Sequence, residues 1–349
     1  MIKHYTRACN FYFGPISIEK VKKKQSIPLH GNRLISFDTI EIFTRKKIKR
    51  IDIKKINQLN KDLKKKVLTD IKNILKKKRF KGLSFSHFPI LMGVLNLTPN
   101  SFSDGGKYNK KRMGEQQAKK LIKDGCSILD IGGEATNPGS KDVSEDKEWK
   151  RIYPTLSRIK SLKKFISLDT RKSSIMKKGI KNKINLINDV SGLEYDLNTV
   201  QILKETNTPF VIHHIQGEPK TMQKRPRYNN VLLDIYDFFE NKIKYLRSKG
   251  IKHNNIILDP GIGFGKNLKH NITLLKNISI FHSLGFPIML GTSRKRFIKD
   301  ISGINDSKER LGGTISSSLY AMMQGIQILR VHDVNEVNQS IKVFKSLKF

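Results

Sequence analysis

From residue 89 onward, short apolar runs rich in β-branched residues recur at 90–95, 128–131, 165–168, 185–188, 210–213, 256–258, 287–290 and 326–331. Their continuous rather than alternating hydrophobicity is the pattern of strands buried on both faces. Between them lie stretches long enough for one helix each, such as 112–124, 144–162, 231–249 and 268–284, and a last helix over 334–347 closes the chain. Eight strand-then-helix units in about 260 residues predict an α/β fold, a (β/α)8 TIM barrel. An open doubly wound sheet is the rival architecture. No Gly-x-Gly-x-x-Gly dinucleotide signature follows the first strand, which weighs against it.

The first 88 residues follow a different rhythm. Segments 10–13 and 34–43 read as short strands, with alternation around Ile40 and Ile42. Over 53–79, Ile56, Leu59, Leu63, Val67, Ile71, Ile74 and Leu75 recur at spacings of three and four among lysines, which predicts an amphipathic helix. The chain therefore divides into a small α+β N-terminal appendage over 1–88, in which nothing looks catalytic, and the barrel over 89–349.

Composition narrows the setting. Hydrophobic residues make up 37%, charged residues 28%, and the mean hydropathy is -0.44. No window approaches the run of about 20 apolar residues that a membrane span needs. No apolar signal core follows Met1-Ile2-Lys3-His4, and Cys9 and Cys126 cannot build a disulfide framework or a four-ligand zinc site. A cytoplasmic protein is expected. The net charge of +38 would ordinarily suggest nucleic acid or an anionic membrane. Lysine outnumbers arginine by about three to one, however, and no nucleic-acid-binding signature accompanies the charge. Arginine is the better phosphate fork, so neither specific nucleic-acid binding nor membrane binding is expected.

Barrel enzymes build their sites at the C-terminal ends of the strands. Here those ends carry Asn96, Glu134, Asp169, Asn188 with Asp189, His213 with His214, Asp259, Ser293-Arg294-Lys295, and Arg330 with His332. Carboxylates and amides such as Asp169, Asn188 and Asp259 suit a flat heterocycle with ring N–H and amino donors. Arg330 and His332, at the end of the eighth strand, suit phosphate. Gly261, Gly263 and Gly265 would let the backbone approach a ligand closely, and the turn-rich loop 98–106 reads as a lid.

These residues fall in motifs that closely resemble the dihydropteroate synthase family. The first signature is Asn96-Leu97-Thr98-Pro99-Asn100-Ser101-Phe102-Ser103-Asp104-Gly105-Gly106 with the strand before it. The second is Asp130-Ile131-Gly132-Gly133-Glu134-Ala135-Thr136-Asn137-Pro138-Gly139. Ser167-Leu168-Asp169-Thr170, Ile187-Asn188-Asp189, Gln216-Gly217-Glu218-Pro219, Asp259-Pro260-Gly261-Ile262-Gly263-Phe264-Gly265-Lys266, Ser293-Arg294-Lys295 and Arg330-Val331-His332-Asp333 follow in the family's order. The second signature departs from the usual Glu-Ser-Thr-Arg-Pro-Gly at Ala135 and Asn137.

The resemblance implies a pterin-binding barrel that condenses (7,8-dihydropterin-6-yl)methyl diphosphate with 4-aminobenzoate, giving 7,8-dihydropteroate and diphosphate in folate synthesis. It implies Mg2+ on Asn96, and diphosphate on Thr136, Arg330 and His332. The pterin would lie among Asp169, Asn188, Asp259, Lys295 and Phe264, and 4-aminobenzoate beside Phe102, Pro138 and Ser293. Asp169, Lys295, Arg330 and His332 would be catalytic, and a homodimer would form through the later barrel helices. The alternatives are a pterin-barrel methyltransferase acting from methyltetrahydrofolate to a corrinoid protein, and an inactive basic binding barrel. The first has no need of the 98–106 loop, Lys295 or the Arg330 and His332 pair, and a turnover assay decides the second.

Overall fold

The computed structural model describes residues 2–85, 88–98, 112–135, 139–140, 142–218 and 220–349. Eight parallel strands form one sheet: β5 (Ile90–Asn96), β6 (Ile128–Gly132), β7 (Phe165–Asp169), β8 (Leu186–Asp189), β9 (Phe210–His213), β10 (Ile256–Asp259), β11 (Met289–Leu290) and β12 (Ile328–Val331). Their order is β10-β9-β8-β7-β6-β5-β12-β11. A parallel bridge between Leu258 and Ile288, with the Leu258 N–H donating to the Pro287 carbonyl at 3.0 Å, joins the two ends. The predicted barrel is present. Around it run α3 (Met113–Lys123), α4 (Glu145–Ile159), α5 (Ser173–Lys181), α6 (Thr199–Thr206), α7 (Val231–Ser248), α8 (Leu268–Lys276), α9 (Arg296–Ser302), α10 (Leu311–Met323) and α11 (Val334–Lys348).

Successive residues of a strand point to opposite faces. The outward set, including Leu91, Leu129, Leu168, Ile187, Ile212, Leu258, Leu290 and Leu329, packs in one core with the helices. The inward set begins with Met92, Ile128, Leu186, Val211, Ile257, Met289 and Ile328, which form an apolar floor sealed by Phe80 from below.

The appendage is an antiparallel sheet: β1 (Tyr5–Phe13) pairs with β3 (Asn32–Phe43), whose other edge takes β2 (Ile27–Leu29) and β4 (Ile48–Asp52). The helices α1 (Gly14–Lys22) and α2 (Lys61–Leu75) complete it. The single helix expected over 53–79 is divided in two. Asp52 accepts from the Lys54 N–H at 2.7 Å and caps a short 3-10 turn, and Asn60 then caps α2 through the Leu63 N–H at 3.0 Å. Side-chain capping outweighs the apolar period.

The expected helix over 268–284 also stops short, at Lys276, and continues as a buried 3-10 turn over Ile278–Leu284. The cause lies at the other end of the chain. Arg7 donates to the Lys276 carbonyl at 3.0 Å, to Asn277 Oδ1 at 2.7 Å and to Ser279 Oγ at 3.0 Å, and Ser279 Oγ donates to the Ala8 carbonyl at 2.8 Å. These bonds satisfy the terminal groups of α8 and bind β1 to the barrel's outer layer. Among the described residues, no helix is long and apolar enough to cross a membrane.

Leu29 joins the appendage core to the barrel. It is fully buried, and a Cβ added to Gly325, just before β12, would lie 2.2 Å from its Cδ2. Leu29→Ala is expected to destabilise the protein by about 2–5 kcal/mol, measured by urea unfolding; a loss below about 1 kcal/mol would show that this contact does not support the fold.

Candidate active site

One step above the apolar floor, on the same strand faces, the inward residues become polar: Asp130 after Ile128, Asn188 after Leu186, His213 after Val211, Asp259 after Ile257, and Arg330 after Ile328. Arg330 crosses the interior. Its Nε donates to Asp130 Oδ2 at 2.6 Å and its Nη2 to Asp169 Oδ2 at 2.8 Å. Asn188 Nδ2 also donates to Asp130 Oδ2, at 3.2 Å, which leaves the amide oxygen of Asn188 turned away from that carboxylate. Asp130 Oδ1, Asp169 Oδ1 and Asn188 Oδ1 are buried with no hydrogen-bond partner among the described residues. Buried acceptors are normally paired. A cluster of unpaired ones is an environment for a ligand that brings donors.

Asp259 spends one oxygen on the Gly261 N–H, at 2.8 Å. Burial pushes its carboxyl up to about 6, against the opposing pull of that N–H, Lys295 and Arg330. Burial likewise pushes Asp169 well above the ordinary carboxylate range, with Arg330 acting against it. The Lys295 ammonium lies 4.1 Å from the centre of the Phe264 ring, and His213 meets the same ring edge-on at 4.4 Å. Burial and the Arg330 charge bring Lys295 down to about 8. Asn188, His213, Asp259, Phe264, Lys295 and Arg330 thus line one recess.

Ser293 and His332 stand together beside it. The Ser293 hydroxyl accepts from the His332 backbone N–H at 3.2 Å and lies 3.0 Å from His332 Nδ1. Burial and the Arg294, Arg330 and Lys295 charges hold His332 far below its usual range, in the neutral form.

Not every polar strand end faces the recess. Glu134 turns outward to Arg171 Nε at 3.1 Å and Lys172 Nζ at 3.0 Å, and accepts from the Val143 N–H at 2.9 Å. Arg171 also holds Asp142 at 2.7 Å, and Lys172 holds the buried Glu148 at 2.6 Å. Asp189 caps Ser191, Arg294 pairs with Asp333, and His214 accepts from Lys266 at 3.0 Å. These groups anchor the loops that follow the strands.

Two of the three glycines expected to admit a ligand serve the same end. A Cβ on Gly261 (φ +69) would lie 2.0 Å from the His214 carbonyl, and one on Gly265 (φ +62) 2.6 Å from the Gln216 carbonyl. The close approach is to the neighbouring loop's backbone. Only Gly263 faces the recess, where a Cβ would meet Lys295 Cδ at 3.3 Å. Phe102, Thr136, Asn137, Pro138 and the 99–106 part of the lid lie outside the described residues. Asp130, absent from the sequence-derived site, is central to it. Its signal is a carboxylate inside an otherwise apolar strand, Ile128-Leu129-Asp130-Ile131.

The raised carboxyl of Asp259 has a measurable consequence. Its ordinary value is 3.8, so between about pH 4 and 6 the folded state holds a proton that the unfolded state has lost. Stability contributed by this group therefore falls as pH rises through that window and is level above it. Asp259→Asn removes the effect, so the unliganded variant should exceed wild type in stability at pH 7 by up to about 3 kcal/mol and by much less at pH 4.5. Urea unfolding at both pH values measures the gap; an equal gap at both would contradict the burial of a titrating Asp259.

The pterin binding enzyme family matches residues 92–332, so the match begins after the appendage. The dihydropteroate synthase of Escherichia coli (strain K12) is 38% identical over 266 residues, covering 76% of this chain and 93% of that protein. The structure of Yersinia pestis dihydropteroate synthase in complex with a sulfonamide drug superposes with a TM-score of 0.73 at 36% identity, over 77% of this chain and 98% of the other. That of the Thermus thermophilus enzyme in complex with 4-aminobenzoate gives 0.68 at 34% identity, over 76% and 96%. With its barrel, its strand-end motifs and these relatives in agreement, the chain belongs to the dihydropteroate synthases, transferases of folate biosynthesis.

Proposed function

We propose that the recess above the barrel floor binds the pterin of (7,8-dihydropterin-6-yl)methyl diphosphate, and that the chain couples it there to 4-aminobenzoate. The observation that carries this reading is the set of unpaired buried acceptors, Asp169 Oδ1, Asn188 Oδ1 and Asp130 Oδ1, beside Asp259. A pterin edge presents the amino and ring N–H donors they lack. The Lys295–Phe264 pair supplies a flat, polarised wall on the other side. The Thermus relative's 4-aminobenzoate supports the second substrate, which Ser293, Phe102 and Pro138 would receive.

In this reading the bond between the pterin's exocyclic methylene and the diphosphate oxygen breaks first. The ring's electrons stabilise the cation left on the methylene, and diphosphate departs with the bonding pair. The Asp169 carboxylate favours the cation electrostatically, while Arg330, His332 and Thr136 stabilise the leaving diphosphate. The 4-aminobenzoate nitrogen then bonds to the methylene and releases a proton. An arylamine is neutral near pH 7, so no strong base is needed for the attack.

The donor set also fits a magnesium ion. Asn96 ends β5 with a carboxamide oxygen, and the Thr98 hydroxyl two residues on is buried without a partner among the described residues. Among those residues no group of three or more His, Cys, Asp or Glu side chains forms a metal cage. Mg2+ commonly keeps waters and substrate phosphates with only one or two protein ligands. Asn96 would hold it, and the ion would supply positive charge to the diphosphate oxygens.

The enzyme is proposed to be cytoplasmic, where buried unpaired thiols such as Cys9 and Cys126 persist. We assign it as a homodimer through α8, α9 and α10, which frame an apolar recess of about 440 Å3 beside Ile301 and Tyr320, 62% and 45% exposed. Residues 1–88 form a packing appendage to the 89–349 barrel in this scheme.

Diphosphate release from the pterin diphosphate should require both 4-aminobenzoate and Mg2+ for full turnover. Undiminished turnover after exhaustive chelation would remove the metal from the scheme. Asp259→Ala should weaken pterin binding by about 3 kcal/mol, more than a hundredfold, because a carboxylate paired with ring donors is lost; near-native calorimetric affinity in the folded variant would refute the placement. For the dimer, Ile301→Lys should shift sedimentation from the dimer to the monomer, whereas a wild-type chain that sediments as a monomer at micromolar concentration would overturn it.

A further inference from the structure

A second cavity, of about 210 Å3, lies at the opposite end of the barrel, between the appendage and the residue that precedes β12. His30, Asn32, Lys77 and Lys78 line it from the appendage, Phe85 and Phe88 from the connecting segment, and Gln327 from the barrel. Gln327 ties the two parts together. Its Oε1 accepts from the Ile288 N–H at 2.8 Å and its Nε2 lies 2.9 Å from His30 Nδ1.

Lys78 is the unusual member. It is only 5% exposed, and among the described residues that line the cavity none is an Asp or Glu. Its ammonium donates to the Asn73 carbonyl at 2.8 Å, closing the last turn of α2. That uses one of three donors. The charged group acting on it is Lys76, which repels it, and burial brings its amine down to about 7. The rest of the neighbourhood is also basic or neutral: Lys77 on the wall, His30, and the His282 ring 4.5 Å from it. Burial holds both imidazoles below their usual range.

A buried cation with no counter-charge is costly and tends to neutralise. A cap for α2 alone does not require one, because an exposed lysine reaches a last-turn carbonyl equally well. We propose that this cavity binds a small organic anion, its carboxylate or phosphate head against Lys78 and Lys77 and its apolar body against Phe85 and Phe88. The volume equals about seven waters at ~30 Å3 each, room for one ring and its head group.

The test is calorimetric titration of the full chain with benzoate and with phenyl phosphate at pH 6.5, the two arms separating carboxylate from phosphate heads. One Lys78-dependent site is expected for at least one probe. Its affinity should fall about tenfold or more in Lys78→Met and stay within twofold of wild type in Asp259→Asn, which alters only the barrel mouth. An anion on Lys78 favours the ammonium, so the wild-type affinity should decline from pH 6.5 to 8.5, and Lys78→Met should lose that decline. If Lys78→Met does not fold, Lys77→Ala, at an exposed position, should still weaken the site severalfold. Binding that Lys78→Met and Lys77→Ala leave unchanged, binding that Asp259→Asn abolishes, or no binding of either probe at millimolar concentration would overturn the proposal.

Discussion

One guanidinium shared by two carboxylates organises the mouth of this barrel. Arg330 comes from the last strand, Asp130 and Asp169 from the second and third strands of the barrel, and they meet inside the ring. Breaking a buried pair of this kind typically costs about 3–5 kcal/mol, so the triad pins the relative rotation of strands far apart in the chain. It also leaves acceptors without donors. Two carboxyl groups face one guanidinium, and Asp130 Oδ1 and Asp169 Oδ1 keep no partner among the described residues. The free site is therefore short of hydrogen-bond donors, which is the state that a ring bearing amino and N–H groups relieves.

The polar residues at the strand ends divide between two tasks. Those on the inward face, Asp130, Asn188, His213, Asp259 and Arg330, meet over the floor. Those one or more positions beyond, Glu134, Asp189 and His214, fasten loops through Arg171, Lys172, Ser191 and Lys266. The Glu134–Arg171–Asp142 chain shows the value of this arrangement: it ties the loop that follows β6 to the end of β7 across a salt bridge of 2.7 Å, so the loop's position depends on the barrel's own strands.

Much of this is legible in the sequence because a barrel repeats one simple pattern. Eight apolar runs separated by helix-length segments leave few other architectures, and the motifs put Asp169, Asn188, Asp259, Lys295 and Arg330 at the right ends. What escapes depends on partners remote in sequence. Asp130 shows as a carboxylate inside an apolar strand, but its role comes from Arg330, 200 residues away. Glu134 reads as a site residue until Arg171 and Lys172 claim it. The early end of α8 cannot be read from 268–284, whose apolar period continues, because Arg7 supplies the cap from 269 residues upstream. Nor does α1 announce itself: its sequence, Gly-Pro-Ile-Ser-Ile-Glu-Lys-Val-Lys, has little apolar contrast and buries only Gly14 and Ser17.

The bond between Arg7 and the end of α8 has a consequence for how the chain acquires its structure. β1 is made early in synthesis, yet its docking partners, the α8 terminus and the 278–284 turn, emerge only after most of the barrel has been translated. Phe13 closes against Phe349, which directly follows α11. Until then Tyr5, which packs into the barrel's core, and Leu29, which meets Gly325, lack the barrel neighbours that cover them. Such contacts are rewarded only after a very long loop is closed, which makes their formation slow compared with local pairing. The appendage thus precedes the barrel in the chain but seats after it, because its docking waits on the end of α8 and on the residue after α11.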